Sequence, residues 1–336
     1  MKIGIFTSFQ SDKFVKQAIE SCKSLNVDYE VVDIISENWL ENVRKSDCDG
    51  FFCPSNCVSQ ELKTIQDERY YFVSQIMKRP IYPDFLGLYI HENKRNMAAW
   101  LELNDYPYAK TRVFTDRENA LEFLSTCEYP IVTKANVGAA ASKVRIVKNK
   151  RQAIRMAKKC LPKKSIFKFL SLGLYYKTKI KFFNIPDLHN PQKDYFIVQD
   201  YIKDILWEWR ILKIGDSYFG HQKLLNGEFA SGSGKVGWVA PPQHLLEMTR
   251  ELCQKGGFRC MDVDVFETKD GKFVINELQA SFGSYLDYQM CIDGVPGRYK
   301  DVDGEFVFEE GKFNVFGSTK LKIEDLIQEI KKRKEI

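Results

Sequence analysis

Two hydrophobic periodicities alternate along the first part of the chain. Short apolar runs predict strands, at Lys2–Thr7, Tyr29–Ile34 and Gly50–Pro54. Between the first two runs, apolar residues from Phe14 to Leu25 recur at helical spacing, and similar spacing between Leu62 and Met77 predicts a further helix. This β-α-β-α-β order predicts a parallel sheet with helices on its faces, which we assign to an N-terminal α/β domain of residues 1–92.

Residues 93–198 form a predicted central section of helices and short strands. A helix is expected from Lys94 to Leu103, because the turn residues Asn104–Pro107 end the apolar pattern there. Further helices are predicted at Asp116–Leu124 and Arg151–Leu161, and strands at Pro130–Lys134 and Val144–Lys148. Residues 163–183 mix aromatic and basic side chains without a clean period, which is typical of a helical insertion or a mobile flap.

A third section is predicted over residues 199–320, and a C-terminal helix over residues 321–336. The elements expected around the third section are a strand, a hairpin and a helix, at Tyr195–Ile202, Trp209–Gly220 and Leu245–Lys255. The C-terminal helix is amphipathic, with an apolar face formed by Ile323, Leu326, Ile327 and Ile330.

A second hairpin in this section carries the most informative polar residues. Asp270-Gly271 separates two β-rich runs, which is a strong hairpin signal. Period-2 alternation places Glu277 and Gln279 on one face, and Asp264 falls on the neighbouring strand within reach of both. Two carboxylates and an amide oxygen on one side of a sheet are suitable ligands for magnesium. The alternative interpretation of this hairpin alone is a solvated acidic face.

Composition is that of a globular protein with two or three subdomains. The chain has 336 residues, of which 44% are hydrophobic and 28% charged. No apolar run is long enough to span a bilayer, and the first residues predict a strand in place of a signal peptide. Nine cysteines without paired spacing favour reduced thiols, so we expect a cytoplasmic protein.

The net charge of +5 conceals a strongly basic block. Fourteen Lys and Arg residues and no acid lie between Lys143 and Lys181, which leaves the remaining residues at −9. Such a block favours an anionic ligand, an anionic membrane surface or nucleic acid. No zinc-finger or RNA-binding signature is present, so no nucleic-acid partner is expected. Peripheral lipid contact through residues 151–183 and a merely solvated helix face both stay open.

The order of the polar positions resembles the ATP-grasp superfamily, in the branch that contains ribosomal S6–glutamate ligase and D-alanine–D-alanine ligase. The matching features run from about Lys94 to Ser284 and are, in order, Lys94, Lys134 with a small-residue loop, Gln199–Ile202, Glu208-x-Arg210 and Asp264…Glu277-x-Gln279. The resemblance implies an α/β protein of α+β ATP-grasp type. Its N-terminal parallel α/β domain would precede two α+β subdomains that sandwich ATP.

The resemblance also implies roles for individual residues. Lys94 and Lys134 would contact the α- and β-phosphates of ATP, with the loop around Gly138 lying over them. The backbone of Gln199, Asp200, Tyr201 and Ile202 would pair with the adenine edge. Catalysis would depend on Arg210 and Lys223, and Mg²⁺ would be held by Asp264, Glu277 and Gln279. The chain departs from the family in having Gln279 where Asn is usual and Ala139–Ala141 where glycines occur.

The activity implied is that of an ATP- and Mg²⁺-dependent carboxylate–amine ligase that forms an acyl phosphate. Its substrates would be small molecules, and the basic block favours anionic ones. The segment Ala230–Trp238 is similar to a loop in ATP-grasp proteins associated with bacterial polysaccharide gene clusters, which suggests amidation of a sugar acid or amino acid in surface polysaccharide biosynthesis. A small-molecule kinase and a non-catalytic ATP-binding regulator are the alternatives. The oligomeric state is not predicted.

Overall fold

The parallel sheet predicted at the N-terminus is present. Its strands are β1 (Lys2–Thr7), β2 (Asp28–Asp33), β3 (Gly50–Phe52) and β4 (Ile81–Tyr82), in the order β2-β1-β3-β4. The helices of this part are α1 (Asp12–Ser24), α2 (Trp39–Lys45), α3 (Gln60–Tyr71) with a following π-helical turn (Phe72–Ile76), α4 (Phe85–Ile90) and α5 (Lys94–Leu103). The helix predicted at Lys94–Leu103 therefore begins and ends where expected.

The structure, a computed structural model, describes residues 1–9, 11–55, 59–138, 143–162, 194–227, 234–283 and 286–335. These residues divide into two units. Unit 1 comprises Met1–Tyr108, the short segment with Val137 and Gly138, and Lys203–Ile336. Unit 2 comprises Ala109–Asn136 and Ser142–Ile202. The four-part division predicted from the sequence, with boundaries at residues 92, 198 and 320, stays a prediction.

Unit 2 is an antiparallel sheet with two helices. Its elements are β5 (Thr111–Phe114), α6 (Arg117–Thr126), β6 (Ile131–Lys134), β7 (Val144–Val147), α7 (Lys150–Cys160) and β8 (Phe196–Asp200). The strand order is β5-β8-β6-β7. Asp116 and Asn149 cap α6 and α7, because each side chain accepts a hydrogen bond from a backbone N–H in the first turn.

The rest of unit 1 is built on a large antiparallel sheet. Its elements are β9 (Ile205–Ile214), β10 (Ser217–Leu224), β11 (Val236–Gly237), α8 (Gln243–Gly256), β12 (Cys260–Thr268), β13 (Phe273–Gln279), β14 (Cys291–Ile292), β15 (Val295–Val302), β16 (Glu305–Glu310) and α9 (Thr319–Glu335). The main strand order is β13-β12-β9-β10-β15-β14. We call this the central sheet.

The two faces of the central sheet are used differently. One face, with Ile211, Val263 and Leu278, is buried in an apolar cluster that also includes residues of α5 and α8. The opposite face is apolar at one end, where Leu212 and Ile214 share a cluster with residues of β1, β3 and α9. Further along the same strands this second face becomes polar. The apolar end packs the sheet against the N-terminal elements, whereas the polar end carries the side chains that are candidates for a functional site.

The predicted hairpin between β12 and β13 is present and contains a bulge. Gly271 adopts a left-handed φ of +76° at the turn, as an Asp-Gly hairpin requires. Asp264 pairs with Glu277, but Val265 pairs with Ile275, so Asn276 is the extra residue. A bulge changes where side chains point, and such irregularities are common beside active sites.

Several elements were not predicted from the sequence. The short helices α2 and α4, strand β5 and the hairpin β15–β16 are the main ones. Strand β16 is mostly exposed, and its three apolar residues are flanked by glutamates, so it shows neither a long apolar run nor a clean alternation. The flap predicted at residues 163–183, Ala139–Ala141 and the first four residues of the Ala230–Trp238 loop lie outside the described residues. Within the described part of the chain, no helix has the length and apolarity needed to cross a membrane.

The packing of α9 on the N-terminal elements predicts the effect of a core truncation. Leu326 is fully buried in the cluster that contains Ile3 and Phe52. Leu326→Ala should lower the free energy of unfolding by about 2–5 kcal/mol, because it leaves a cavity as well as removing buried apolar surface. Chemical denaturation measures this loss. Leu103→Ala is the matched control, since Leu103 is 81% exposed; equal losses would contradict the packing described.

Candidate functional site

The polar end of the central sheet gathers charged and polar side chains from four neighbouring strands. The side chains concerned are His221 and Lys223 on β10, Glu208 and Arg210 on β9, Asp262 and Asp264 on β12, and Glu277 and Gln279 on β13. Residues directly opposite each other on antiparallel strands share a face, so the register itself brings them together. We call this set the polar face.

Asp264 is the centre of the polar face. It lies opposite Arg210 on one side and opposite Glu277 on the other. Arg210 donates two hydrogen bonds to its carboxylate, at 3.1 Å from Nε to Oδ1 and 3.1 Å from Nη2 to Oδ2. Lys223 donates to the same Oδ2 atom. Burial alone would raise the pKa of Asp264, but these two cations hold that pKa well below its usual value.

Lys223 also joins Asp264 to a buried glutamate on β9. Its Nζ lies 3.1 Å from Oε2 of Glu208, whose Oε1 accepts a hydrogen bond of 2.6 Å from Asn276 Nδ2. The bulge in β13 allows Asn276 and Glu277 to reach the same face although they are adjacent in sequence. Strict alternation gives no signal for Asn276, so sequence reasoning missed it.

Lys94 connects the polar face to the first turn of α5. Asn93 caps this helix by accepting a hydrogen bond from the Asn96 backbone N–H. The Nζ atom of Lys94 lies 2.6 Å from Glu92 Oε2, 2.7 Å from Glu277 Oε1 and 3.0 Å from the Gly138 carbonyl oxygen. Burial opposes the charge on Lys94, but Glu277 and Glu92 together raise its pKa above the usual value.

Asp262 is a buried acid that the sequence analysis did not single out. Its side chain is fully buried, and neither carboxylate oxygen accepts a hydrogen bond within the described residues. Oδ2 lies 2.9 Å from Arg210 Nη2, close enough for an ion pair but poorly directed for a hydrogen bond. Burial raises the pKa of Asp262 well above its usual value.

The charges of the polar face and its neighbours do not balance. Among the described residues there are five carboxylates, on Glu92, Glu208, Asp262, Asp264 and Glu277, and three cations, on Lys94, Arg210 and Lys223. Carboxyl groups therefore outnumber cations by two, although burial favours the protonated form of Asp262. The hard carboxylate oxygens and the orphaned oxygens of Asp262 fit a divalent cation of the magnesium type. Gln279, opposite Asp262 in register, adds an amide oxygen to this face.

The remaining predicted residues lie in unit 2. Lys134 ends β6 and is 9% exposed. Gln199 lies on the interior strand β8, where its Nε2 donates a hydrogen bond of 3.0 Å to Thr111 Oγ1. Asp200 ends that strand with its carboxylate 2.6 Å from Arg112, and Tyr201 and Ile202 follow in the connection after the strand. The nucleotide-binding roles expected for these residues and for Gly138 stay predictions.

Comparison with solved structures decides the fold. The chain is similar to a RimK domain ATP-grasp protein from Sphaerobacter thermophilus, with a TM-score of 0.50 and 14% identity over 83% of this chain and 90% of that one. It is also similar to D-alanine–D-alanine ligase from Bacillus anthracis complexed with ATP, with a TM-score of 0.57 and 14% identity over 99% of each chain. The chain has the ATP-grasp fold. The fold class predicted from the sequence is confirmed.

The chain is also similar in sequence to a curated ligase. The alpha-aminoadipate–LysW ligase LysX of Saccharolobus solfataricus is 24% identical over 213 residues, which cover 62% of this chain and 68% of that protein. No protein-family model matches the chain.

His221 gives the polar face a measurable dependence on pH. Its Nδ1 lies 2.8 Å from the Gln289 carbonyl oxygen, so the Nδ1–H donates. The pKa of His221 falls from 6.5 to about 4, mainly because the side chain is buried. The positive charges of Arg210 and Lys223 lower this pKa further, whereas the hydrogen bond to Gln289 and the negative charge of Asp264 raise it. The unfolded chain therefore binds a proton that the folded chain rejects between about pH 6.5 and pH 4.

We expect this difference to cost the wild type about 3 kcal/mol of stability as the pH falls from 7 to 4. His221→Asn keeps a donor for Gln289 but cannot titrate, so its free energy of unfolding should fall correspondingly less over the same range. Chemical denaturation at pH 7, 6, 5 and 4 measures both proteins. His244→Asn, at an exposed histidine, is the control. Parallel curves for wild type and His221→Asn would contradict the buried neutral imidazole.

Proposed function

We propose that this chain is an ATP-dependent ligase that joins a small-molecule carboxylate to an amine through an acyl phosphate. The observation that carries the proposal is the set of ion pairs that join Lys94, Arg210 and Lys223 to buried and half-buried carboxylates on one sheet face. Buried ionic networks of this kind are weak stabilisers and cluster at functional sites. Support also comes from the D-alanine–D-alanine ligase and LysX ligase similarities.

The proposed division of roles follows the ATP-grasp pattern. Lys94 and Lys134 contact the ATP phosphates beneath the loop at Gly138, and Gln199–Ile202 bind the adenine. Arg210 and Lys223 face the γ-phosphate and the reacting carboxylate. Asp264, Glu277 and Gln279 hold Mg²⁺, which when bound neutralises charge on the phosphates. To these we add Asp262, Glu208 and Asn276, which contact Arg210, Lys223 and Glu208 respectively and fix their positions.

The ion pairs of the polar face indicate how the site accepts a charged substrate. Each of the three cations is paired with a carboxylate, so none is left as an isolated buried charge. On binding ATP, Lys94, Arg210 and Lys223 would turn from these carboxylates to phosphate oxygens. Glu277 and Asp264 are then released as ligands. The exchange replaces one set of charge pairs with another and avoids leaving any charge uncompensated.

The chemistry requires cations and exclusion of water, and no covalent nucleophile on the protein. A substrate carboxylate oxygen attacks the γ-phosphorus, the bond to the β-phosphate oxygen breaks, and ADP leaves with the electron pair. The amine then attacks the acyl carbon, phosphate leaves, and the nitrogen loses a proton to give the amide. Arg210 and Lys223 stabilise the charge that develops on the transferred phosphoryl group.

Narrower features of the proposal have separate support. An anionic substrate is favoured by the basic block, and a role in surface polysaccharide biosynthesis by the similarity of the Ala230–Trp238 loop. Contact of the basic region with lipid would have to be electrostatic in α7, because Ala153, Ala157 and Cys160 already bury the apolar side of that helix within unit 2.

Trapping of the intermediate tests the reaction directly. With ATP, Mg²⁺ and a panel of amino acids, aminoadipate and sugar acids, ADP release should require a carboxylate, and added hydroxylamine should give a hydroxamate. A hydroxamate forms because the acyl phosphate is a strong acylating agent. ADP release with an alcohol and no hydroxamate would instead establish a kinase. ATP binding without turnover across the whole panel would establish a non-catalytic regulator.

Removal of Glu277 tests the metal assignment. Glu277→Ala should abolish magnesium-dependent turnover, with a loss of at least about 10²-fold, the scale of losing one group that stabilises charge in a transition state. Glu277→Gln should show a similar loss, because an uncharged amide cannot replace the carboxylate. Circular dichroism should show both variants folded. The exposed Glu305→Ala is the control. Retained activity in Glu277→Ala would count against this residue as a ligand.

A further inference from the structure

A cavity opens where β13 ends, beyond the polar face. It has a volume of about 340 Å³, which is at the small end of the range for ligand pockets, roughly 300–1,000 Å³. All of its lining residues belong to unit 1. Ser281, two positions after Gln279, forms part of its wall, and so do the stacked rings of Phe14 and Phe52, whose centroids are 4.7 Å apart. The cavity therefore lies at the end of the strand that carries Glu277 and Gln279, and it has both polar and apolar walls.

Lys322 of α9 lines this cavity and is an unusual cation. It is 5% exposed, and no carboxylate lies within ion-pair distance of it among the described residues. Its Nζ donates one hydrogen bond, of 2.7 Å, to the Phe282 carbonyl oxygen, and lies 3.9 Å from the centroid of the Phe282 ring. An ammonium group has three donors, so Lys322 retains capacity for a further acceptor. A buried charge without an ionic partner is costly unless a ligand supplies one.

The other charge and the helix end in the described lining are positive, like Lys322. The described lining contains a second lysine, Lys13, and no aspartate or glutamate. Thr319, the first residue of the 17-residue helix α9, also lines the cavity, so the N-terminus of a long helix contributes its positive end. Hydroxyls of Ser281 and Thr319 can add hydrogen bonds. The chemistry is that of a site for a small anion attached to a compact, partly apolar body.

We propose that this cavity, which we call the Lys322 cavity, binds an anionic group of the substrate other than the carboxylate that reacts. The reacting carboxylate must meet the γ-phosphate near Arg210 and Lys223 on the polar face, whereas Lys322 lies past the end of β13. The substrate is then a small acid with two anionic groups, the second being a carboxylate in the simplest case. This inference rests on the proposed function and names the class of its substrate.

Ligand binding without turnover tests this inference independently of the reaction. Isothermal titration at fixed ionic strength would compare succinate, glutarate, aspartate, malate and both enantiomers of glutamate with butyrate and valerate, which have one carboxylate each. Titrations are made with and without a non-hydrolysable ATP analogue. We expect at least one dicarboxylate to bind the wild type, and to bind at least tenfold more tightly than the monocarboxylate of equal length.

Substitution of the buried lysine supplies the decisive comparison. Lys322→Met should weaken dicarboxylate binding at least tenfold and leave the melting temperature of the free protein unchanged or higher, because a desolvated charge is removed. Lys320→Met removes a charge from the same helix outside the cavity and should bind like the wild type. Absence of dicarboxylate binding to the wild type, or equal binding by Lys322→Met, would overturn the proposal.

Two further outcomes separate the inference from neighbouring hypotheses. Lys322-dependent binding of inorganic phosphate or sulfate, with no carboxylate bound, would define an inorganic-anion site and overturn the substrate assignment. Lys322-dependent dicarboxylate binding in a protein that forms no hydroxamate would leave the cavity assigned and remove the ligase proposal. Once a substrate is known, Lys322→Met should raise its KM with little change in kcat, since Lys322 does not touch the reacting atoms.

Discussion

The pairing of Asp264 with Arg210 and Lys223 is the interaction on which the polar face depends. A carboxylate that is 1% exposed could not stay ionised there without these two cations. Antiparallel register places Asp264 opposite Arg210 and Lys223 opposite Glu208, so the backbone ladder brings the charge pairs together before any substrate arrives. Removing one partner would leave another buried charge without a counterion, at the full cost of its desolvation. Each charge of the network therefore depends on the others.

A second constraint is the division of one sheet face into an apolar and a polar end. Leu212 and Ile214 are packed against the N-terminal elements, and two residues earlier on the same strand Arg210 begins the charged set. The transition takes place within a single strand. As a result, the position of the charges is tied to a fully buried apolar cluster of unit 1, and rigid support of this kind keeps reactive groups in place.

Local signals explain what the sequence predicted well. The Asp-Gly turn at Asp270-Gly271 determines the hairpin, and Asn93 with Lys94 marks the start of α5, because turn and cap preferences are properties of a few adjacent residues. The alternation around Glu277 and the turn together predicted Asp264 within reach of Glu277, and the two residues are paired. The ATP-grasp fold followed from the order of such local features along the chain.

The residues that were missed depend on long-range structure. Asn276 joins the polar face through a bulge that depends on pairing with β12, and strict alternation assigns it to the wrong side. Asp262 gains significance only because it is buried beside Arg210. In the sequence, Lys322 cannot be distinguished from other lysines of an amphipathic helix, and only the packing of α9 buries it. None of these environments has a signature within a few residues of sequence.

The position of α9 has a consequence for the synthesis of the chain. Residues near the beginning, Ile3 and Ile5, share their apolar cluster with Ile323, Leu326 and Ile330 near the end. One side of the N-terminal sheet therefore remains uncovered on the ribosome until α9 has emerged. Contacts of such large sequence separation form slowly, and exposed apolar surface promotes association between nascent chains. The core around Ile3 and Ile5 is therefore complete only after more than 300 further residues have been made.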